Sequence, residues 1–155
     1  MIIPKTTQNA ADVAKHYDNL DRFYREIWGE HVHHGLWLTG RETPLEACVA
    51  LSAAVADRLA LKPGDTVCDV GCGYGGTSRI LADMGAEVTG LTLSEKQLAY
   101  ANSAHPRANP TLMVQDWLEN DFPDASFDAV LSIESSEHMV DKPRFFAEVE
   151  GFLRP

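Results

Sequence analysis

Apolar and aromatic positions recur at three- and four-residue intervals from Val13 to Trp28 (Val13, His16, Tyr17, Leu20, Phe23, Tyr24, Ile27, Trp28) in a segment otherwise polar. That period predicts an amphipathic helix stopped near Gly29, with residues 1–9 a loose tail ahead of it. Its aromatic stripe reads as a packing face or, standing before the first strand, as a lid. A second helical period follows Pro44, with Leu45, Cys48, Val49, Ser52, Val55 and Leu59 on one face, and ends before Lys62-Pro63-Gly64.

From Asp65 the period changes. Short strand-like runs at 66–70, 87–91, 111–114 and 127–133 alternate with helical stretches at 76–84, 94–104 and 143–153. The alternation predicts an α/β, doubly wound sheet of about four parallel strands joined by right-handed crossovers. Ser94 with Gln97 three residues on forms a capping box, and Asp141 ahead of Pro143 marks a helix start. Residues 1–43 then divide off as a helical lid and His-rich loop, and residues 44–155 as the sheet domain. The strand at 127–133 is left with an unpaired outer edge, so either more chain follows or another chain, such as a second copy, covers it.

Composition narrows the partners. The 155 residues, 45% hydrophobic and 23% charged, suit a single domain. Thirteen Lys and Arg against 23 Asp and Glu leave a net charge of −10, which argues against a nucleic-acid surface and favours a small neutral or cationic substrate. Cys48, Cys68 and Cys72 are odd in number and lack paired spacing, so they read as free thiols in a reducing compartment, the cytoplasm. No apolar run approaches the length of a membrane span and the N-terminus carries no apolar signal segment, so a soluble protein is expected. His31, His33 and His34 have no further ligand at suitable spacing and read as a loop bordering a site, with no metal centre.

The chemistry centres on Val67–Leu81, VCDVGCGYGGTSRIL: strand, acid, glycine-rich turn, helix. Gly71, Gly73 and Gly76 allow a sharp turn and close backbone approach to a nucleotide. The spacing satisfies the dinucleotide fingerprint, and an NAD(P)-dependent oxidoreductase is one reading. Two neighbours oppose it: Asp69 would repel a diphosphate, and the second strand ends in Leu91-Thr92-Leu93 where an NAD enzyme carries an acid for the ribose.

DVGCGYGG followed by VTGLTLSEKQ resembles motif I and its downstream partner in class I S-adenosylmethionine-dependent methyltransferases. The segment HYDNLDRFYREIWGEHVHHGLW is similar to the N-terminal region of the small-molecule branch around tocopherol C-methyltransferases, glycine, sarcosine and alkaloid N-methyltransferases and cyclopropane fatty-acid synthases. The resemblance covers essentially the whole chain. It implies a Rossmann-like methyltransferase fold, N-terminal part only, since complete members continue past an LRPGG-like turn into three more strands. It further implies S-adenosyl-L-methionine as cofactor, S-adenosyl-L-homocysteine as product and a small-molecule acceptor with a C, N or O nucleophile.

Carried over by resemblance, Asp69, Gly71, Cys72 and Gly73 approach the methionine moiety and Tyr17 closes over the same end. Thr92, with Leu93 beside it, stands where the family at large has its ribose-binding acid. Gln97 is either a second ribose contact or only the capping box. Asp116 accepts from the adenine amino group, and Trp117 either lies on the ring or is ordinary core. Past the fourth strand, Glu134, Glu137 and His138 stand where open α/β sheets bind ligands. His138 is the first choice as base and Glu137 the second; Glu134 either shares the chemistry or borders the cofactor. A non-catalytic cofactor-binding or dimerisation module is the remaining alternative.

Overall fold

A computed structural model describes residues 9–154. The tail expected at residues 1–9 lies, apart from Asn9, outside the described residues. Asn9 caps α1 (Ala10–Trp28): its side chain accepts from Asp12 N at 2.9 Å, and the Asp12 carboxylate accepts from Asn9 N. α2 (Pro44–Leu59) begins with the same reciprocal arrangement between Thr43 and Glu46 and has proline in its first turn, where no N–H is missed.

The remainder alternates as the periods predict: β1 (Thr66–Val70), α3 (Gly76–Asp83), β2 (Glu87–Thr92), α4 (Glu95–Ala104), β3 (Thr111–Val114), β4 (Ala129–Leu131) and α5 (Lys142–Phe152). Single 3-10 turns occupy Trp117–Glu119 and Ser136–His138. All pairings are parallel, in the order β3-β2-β1-β4. The chain therefore steps outward from β1 to β3 and then crosses back to the other side of β1. That reversal opens a crevice at the carboxyl ends of β1 and β4.

Each face of the sheet carries its own core. Val67, Val88 and Leu131 pack with Ala56 of α2 and Leu81 of α3 on one face. Cys68, Val70 and Leu91 pack with Trp117, Phe127 and Phe145 on the other. The two-residue strand period sends Val67 and Cys68 to opposite sides.

Three local features depart from the sequence reading. β4 is shorter than the expected 127–133, because its ladder to β1 spans only Val67–Asp69. Beyond it the Ser135 hydroxyl, not a strand backbone, donates to Val70 O, and Glu134 turns the chain with φ +49°. The Ser94–Gln97 box forms by half: Ser94 Oγ accepts from Gln97 N, whereas the Gln97 side-chain oxygen accepts from Thr92 Oγ1 at 2.7 Å. Finally, α1 does not bury its whole apolar stripe. Val13 is buried while Leu20, Phe23 and Ile27 stay exposed. A polar edge docks instead: the Tyr74 hydroxyl donates to Asp21, Ser94 Oγ donates to Asp18, and the Arg25 guanidinium lies 4.7 Å above the Tyr100 ring.

Candidate functional site

The crevice holds a groove of about 820 Å³, counting the part open to solvent. Its floor is the glycine turn. Gly71 and Gly73 have φ +81° and +57°, and a Cβ on Gly71 would lie 2.3 Å from the Ser135 Cβ. Only glycine accepts both the left-handed backbone and that contact. Gly71 N and Cys72 N donate to Leu91 O at 2.9 and 2.8 Å, tying the turn to the end of β2.

Of the residues singled out from the sequence, Tyr17, Gly71, Gly73, Thr92, Leu93, Gln97, Asp116, Trp117, Glu134 and His138 line this one groove. They come from α1, the glycine turn, β2, α4 and the segments after β3 and β4. Gln97 is buried, and its Nε2 lies 4.0 Å from the position of a Cβ on Gly73. Trp117 is both core and wall: it is 1% exposed, stacks edge-on against Phe152, and has an indole N–H without a protein partner. Asp116 also caps its own turn, accepting from Leu118 N at 3.0 Å.

Three singled-out residues lie elsewhere. Asp69 borders a smaller recess behind the turn, shared with Glu30, His31, His33 and Thr77, where Ser78 Oγ donates to it at 2.6 Å. Burial lifts its carboxyl to about 6, the Ser78 hydroxyl opposing. Cys72 borders the same recess, but its sulfur packs on Gly90 of β2 and its N–H is spent on Leu91 O. Glu137 is exposed and lines neither space.

At the mouth, Tyr17 and His138 meet: the phenol oxygen and Nε2 are 3.1 Å apart with the rings edge-on. Burial, then the nearby acids Glu137 and Glu134 and the Tyr24 phenol, push Tyr17 up to about 12. It is a neutral phenol at any physiological pH. The rest of the lining, Val13, Val32, Ile133, Ser135, Met139 and Val140 among it, was not assigned to a site from sequence. Val13 stood in the helix read as a packing face or lid and Val32 in the loop read as bordering a site; the sequence pointed to the segments but not to these side chains.

The lining suits a nucleoside cofactor without phosphate. Among the described residues it contains no Lys or Arg, so no side-chain cation there answers a diphosphate, whereas acids stand near both ends. Both ring nitrogens of His33, 7% exposed in the recess under the turn, have no protein partner, which leaves polar capacity there for a ligand end or water. Among the described residues no helix is long and apolar enough to cross a membrane.

Known proteins agree with that geometry. The family model described as mycolic acid cyclopropane synthetase matches residues 4–155. Among curated proteins, the chain is 36% identical over 156 residues to a 27-O-demethylrifamycin SV methyltransferase of Amycolatopsis mediterranei, covering 97% of this chain and 57% of that one. It is 38% identical to a chloroplastic tocopherol O-methyltransferase of Arabidopsis thaliana, covering 92% and 46%. The chain spans about half the length of the curated relatives it matches. Among solved structures, the [4+2]-cyclase SpnF superposes with a TM-score of 0.90 at 28% identity, covering 96% of this chain and 58% of that one. The mycolic acid cyclopropane synthase CmaA1, complexed with SAH, gives 0.80 at 28% identity, covering 97% and 55%. The oxidoreductase alternative finds no support among them. The four-stranded parallel sheet is the N-terminal part of their fold, and the chain belongs to the mycolic acid cyclopropane synthetase family of class I S-adenosylmethionine-dependent methyltransferases.

Proposed function

We propose that the groove binds S-adenosylmethionine and that the chain, within its whole protein, transfers a methyl group to a small-molecule acceptor. The carrying observation is a cation-free groove that ends at the Tyr17–His138 pair. When bound, the cofactor supplies a methyl carbon activated by a sulfonium. Thr92 and Gln97 hold the ribose hydroxyls, and Asp116 with Leu93 and Trp117 holds the adenine. Gly71 and Gly73 receive the methionine end, with Asp69 and Cys72 supporting the turn from behind. The segment 1–43 serves as lid through Tyr17.

His138 accepts the acceptor's proton and Tyr17 orients its ring. Glu137 is the second choice as base; its exposure and its place outside the groove rank it behind His138. Val13, Ile133, Met139 and Val140 make the mouth apolar, which favours a neutral, largely apolar acceptor with one ionisable nucleophile. The relatives named for rifamycin and tocopherol methylation support that class, without choosing among C, N and O. SpnF, a cyclase by name, favours a second reading in which the fold and cofactor remain and the reaction differs.

Three free, buried cysteines support a cytoplasmic location. Among the described residues the outer edge of β4 has no neighbouring strand, and Phe127, two residues before it, bridges to Leu153; this supports cover by a second copy or a complementing chain.

Calorimetric titration separates the readings. S-adenosylhomocysteine binds at micromolar or tighter concentration and NADH does not; the reverse result overturns the proposal. Transfer of labelled methyl to a panel of phenols, amines and carbon acids then identifies the acceptor, and cofactor binding with no transfer to any supports the second reading.

A further inference from the structure

Residues 30–36 run along the recess behind the glycine turn as a strap between α2 and the end of β4. On the α2 side the holds are buried and local. Cys48 Sγ donates to His33 O at 3.0 Å, Leu36 N donates to Ala47 O at 2.7 Å, and a Cβ on Gly35 would lie 2.6 Å from the Ala47 carbonyl carbon. Near the turn, a Cβ on Gly76 would strike His31 at 2.6 Å.

On the β4 side one side chain makes the connection. Both carboxylate oxygens of Glu134 accept from His34 N at 3.1 Å, and Oε2 also pairs with His34 Nδ1 at 2.6 Å. His34 is in turn a node: its carbonyl accepts from the Trp37 indole at 2.9 Å and its ring meets Trp28 edge-on. Glu134 reaches it from a left-handed backbone, φ +49°, a conformation a non-glycine residue holds only when its neighbours impose it. Ser135 imposes it, with its hydroxyl bound to Val70 O and to Ser132 Oγ. Val32, two residues before His34, walls the groove, its Cγ2 4.0 Å from the Cβ position of Gly73.

We propose that Glu134 is a positioning residue: through His34 it fixes the 30–36 strap against the Gly71–Gly73 turn and sets the shape of the groove at that end. The carboxylate is committed to three hydrogen bonds with one residue a hundred positions away, which leaves it poorly placed to take a proton from an acceptor. Glu134 and His34 then act as one device: removing the Glu134 side chain releases all three bonds, and removing the imidazole releases the shortest of them while the backbone N–H still donates. The pair is partly charge-based. His34 is mostly exposed; its hydrogen bond to Glu134 raises its pKa, aided by the Glu134 and Glu137 charges, and it faces no other acid from the elements packed on it. A raised histidine contributes fully below its unfolded value and loses that contribution as pH rises through the folded one, so the hold weakens on the alkaline side.

The test rests on the cofactor reading and uses S-adenosylhomocysteine titrated into the full chain at about pH 6 and about pH 8.5, either side of an ordinary histidine. Glu134→Ala weakens binding about fivefold, in line with one largely exposed charged contact, His34→Ala, which keeps the backbone N–H, weakens it about twofold, and the double variant is no weaker than Glu134→Ala. Glu134→Gln, which keeps an oxygen for His34 N, retains most of the affinity. The loss caused by His34→Ala is larger at the acidic pH. Multiplying losses in the double variant, or wild-type affinity in both single variants, overturns the proposal. Should Glu134→Ala fail to fold in a thermal melt, His34→Ala carries the test alone, its loss present at the acidic pH and smaller at the alkaline one; wild-type affinity at both overturns the proposal. Wild-type protein that binds no S-adenosylhomocysteine overturns the cofactor reading itself, a result distinct from additivity.

Discussion

His138 and Tyr17 carry the reaction proposed for this site, and their pairing sets what single substitutions should do. A positioned general base contributes about 10²–10⁴ in rate, so His138→Ala should lower labelled-methyl turnover by at least about 10² while S-adenosylhomocysteine affinity moves little. Tyr17→Phe, which leaves the imidazole but removes its 3.1 Å partner, should cost about tenfold by the same reasoning. Unchanged turnover in His138→Ala removes it as base. Asp69 predicts a pH dependence of a different kind. Its folded value of about 6 stands above the ordinary 3.8, so its contribution to apo stability, about 3 kcal/mol, is complete below pH 4 and lost as pH rises through 6. A cationic amino group bound near the recess prefers the ionised form. Cofactor affinity should therefore fall about tenfold from pH 7 to pH 5 and stay level in Asp69→Asn. A level wild-type profile refutes that. The groove residues that were nameable from sequence were so mainly because motif spacing places them at strand ends. Glu134 was legible as a site residue but not as a clamp, since nothing in a linear chain joins it to His34.

At the level of elements, caps and turns carry the specificity that periodicity lacks. Thr43 Oγ1 accepts from Glu46 N while the Glu46 carboxylate accepts from Thr43 N, so Thr43→Ala should cost about 1 kcal/mol, read as a lower Tm with groove binding intact. Gly71→Ala meets both a left-handed φ and the Ser135 Cβ at 2.3 Å. The loss should approach about 3 kcal/mol and abolish cofactor binding, whereas Gly29→Ala, with open space around the Cβ position, should cost less. Equal melts for the two glycine variants contradict this account. Helices α1 to α5 and strand β1 follow their sequence patterns closely because their periods are long or their flanking caps are strong. β4 does not: an apolar run from Phe127 to Ile133 tells where a strand can lie, and its length is decided by how much of β1 remains for it to pair with. Gln97 shows the same competition, since Thr92 from the neighbouring strand takes the side chain that a capping box would use.

For the whole molecule, the order β3-β2-β1-β4 matters more than any one strand, because its reversal at β1 creates the crevice. It also leaves β4 outermost. Association through that edge should appear in sedimentation as a dimer or larger species, and in a melting temperature that rises with protein concentration. A monomer with a concentration-independent melt removes the second copy as cover. The polar docking of α1 belongs to this scale too. Asp18, Asp21 and Arg25 find partners on α4, at its cap and on the turn before α3, while Leu20, Phe23 and Ile27 are left in solvent.

The sequence by itself determined the α/β alternation, the glycine turn and the family, because each rests on local spacing: a two- or 3.6-residue period, or glycines where the backbone turns left-handed. Only the tertiary structure decided that Tyr17 meets His138, that His34 is held by Glu134, and that Asp69 and Cys72 stand behind the turn instead of in the groove. Those relations join residues far apart in sequence through packing and hydrogen bonds. The free energy of such contacts depends on burial and on competing partners, which exist only once the sheet has formed.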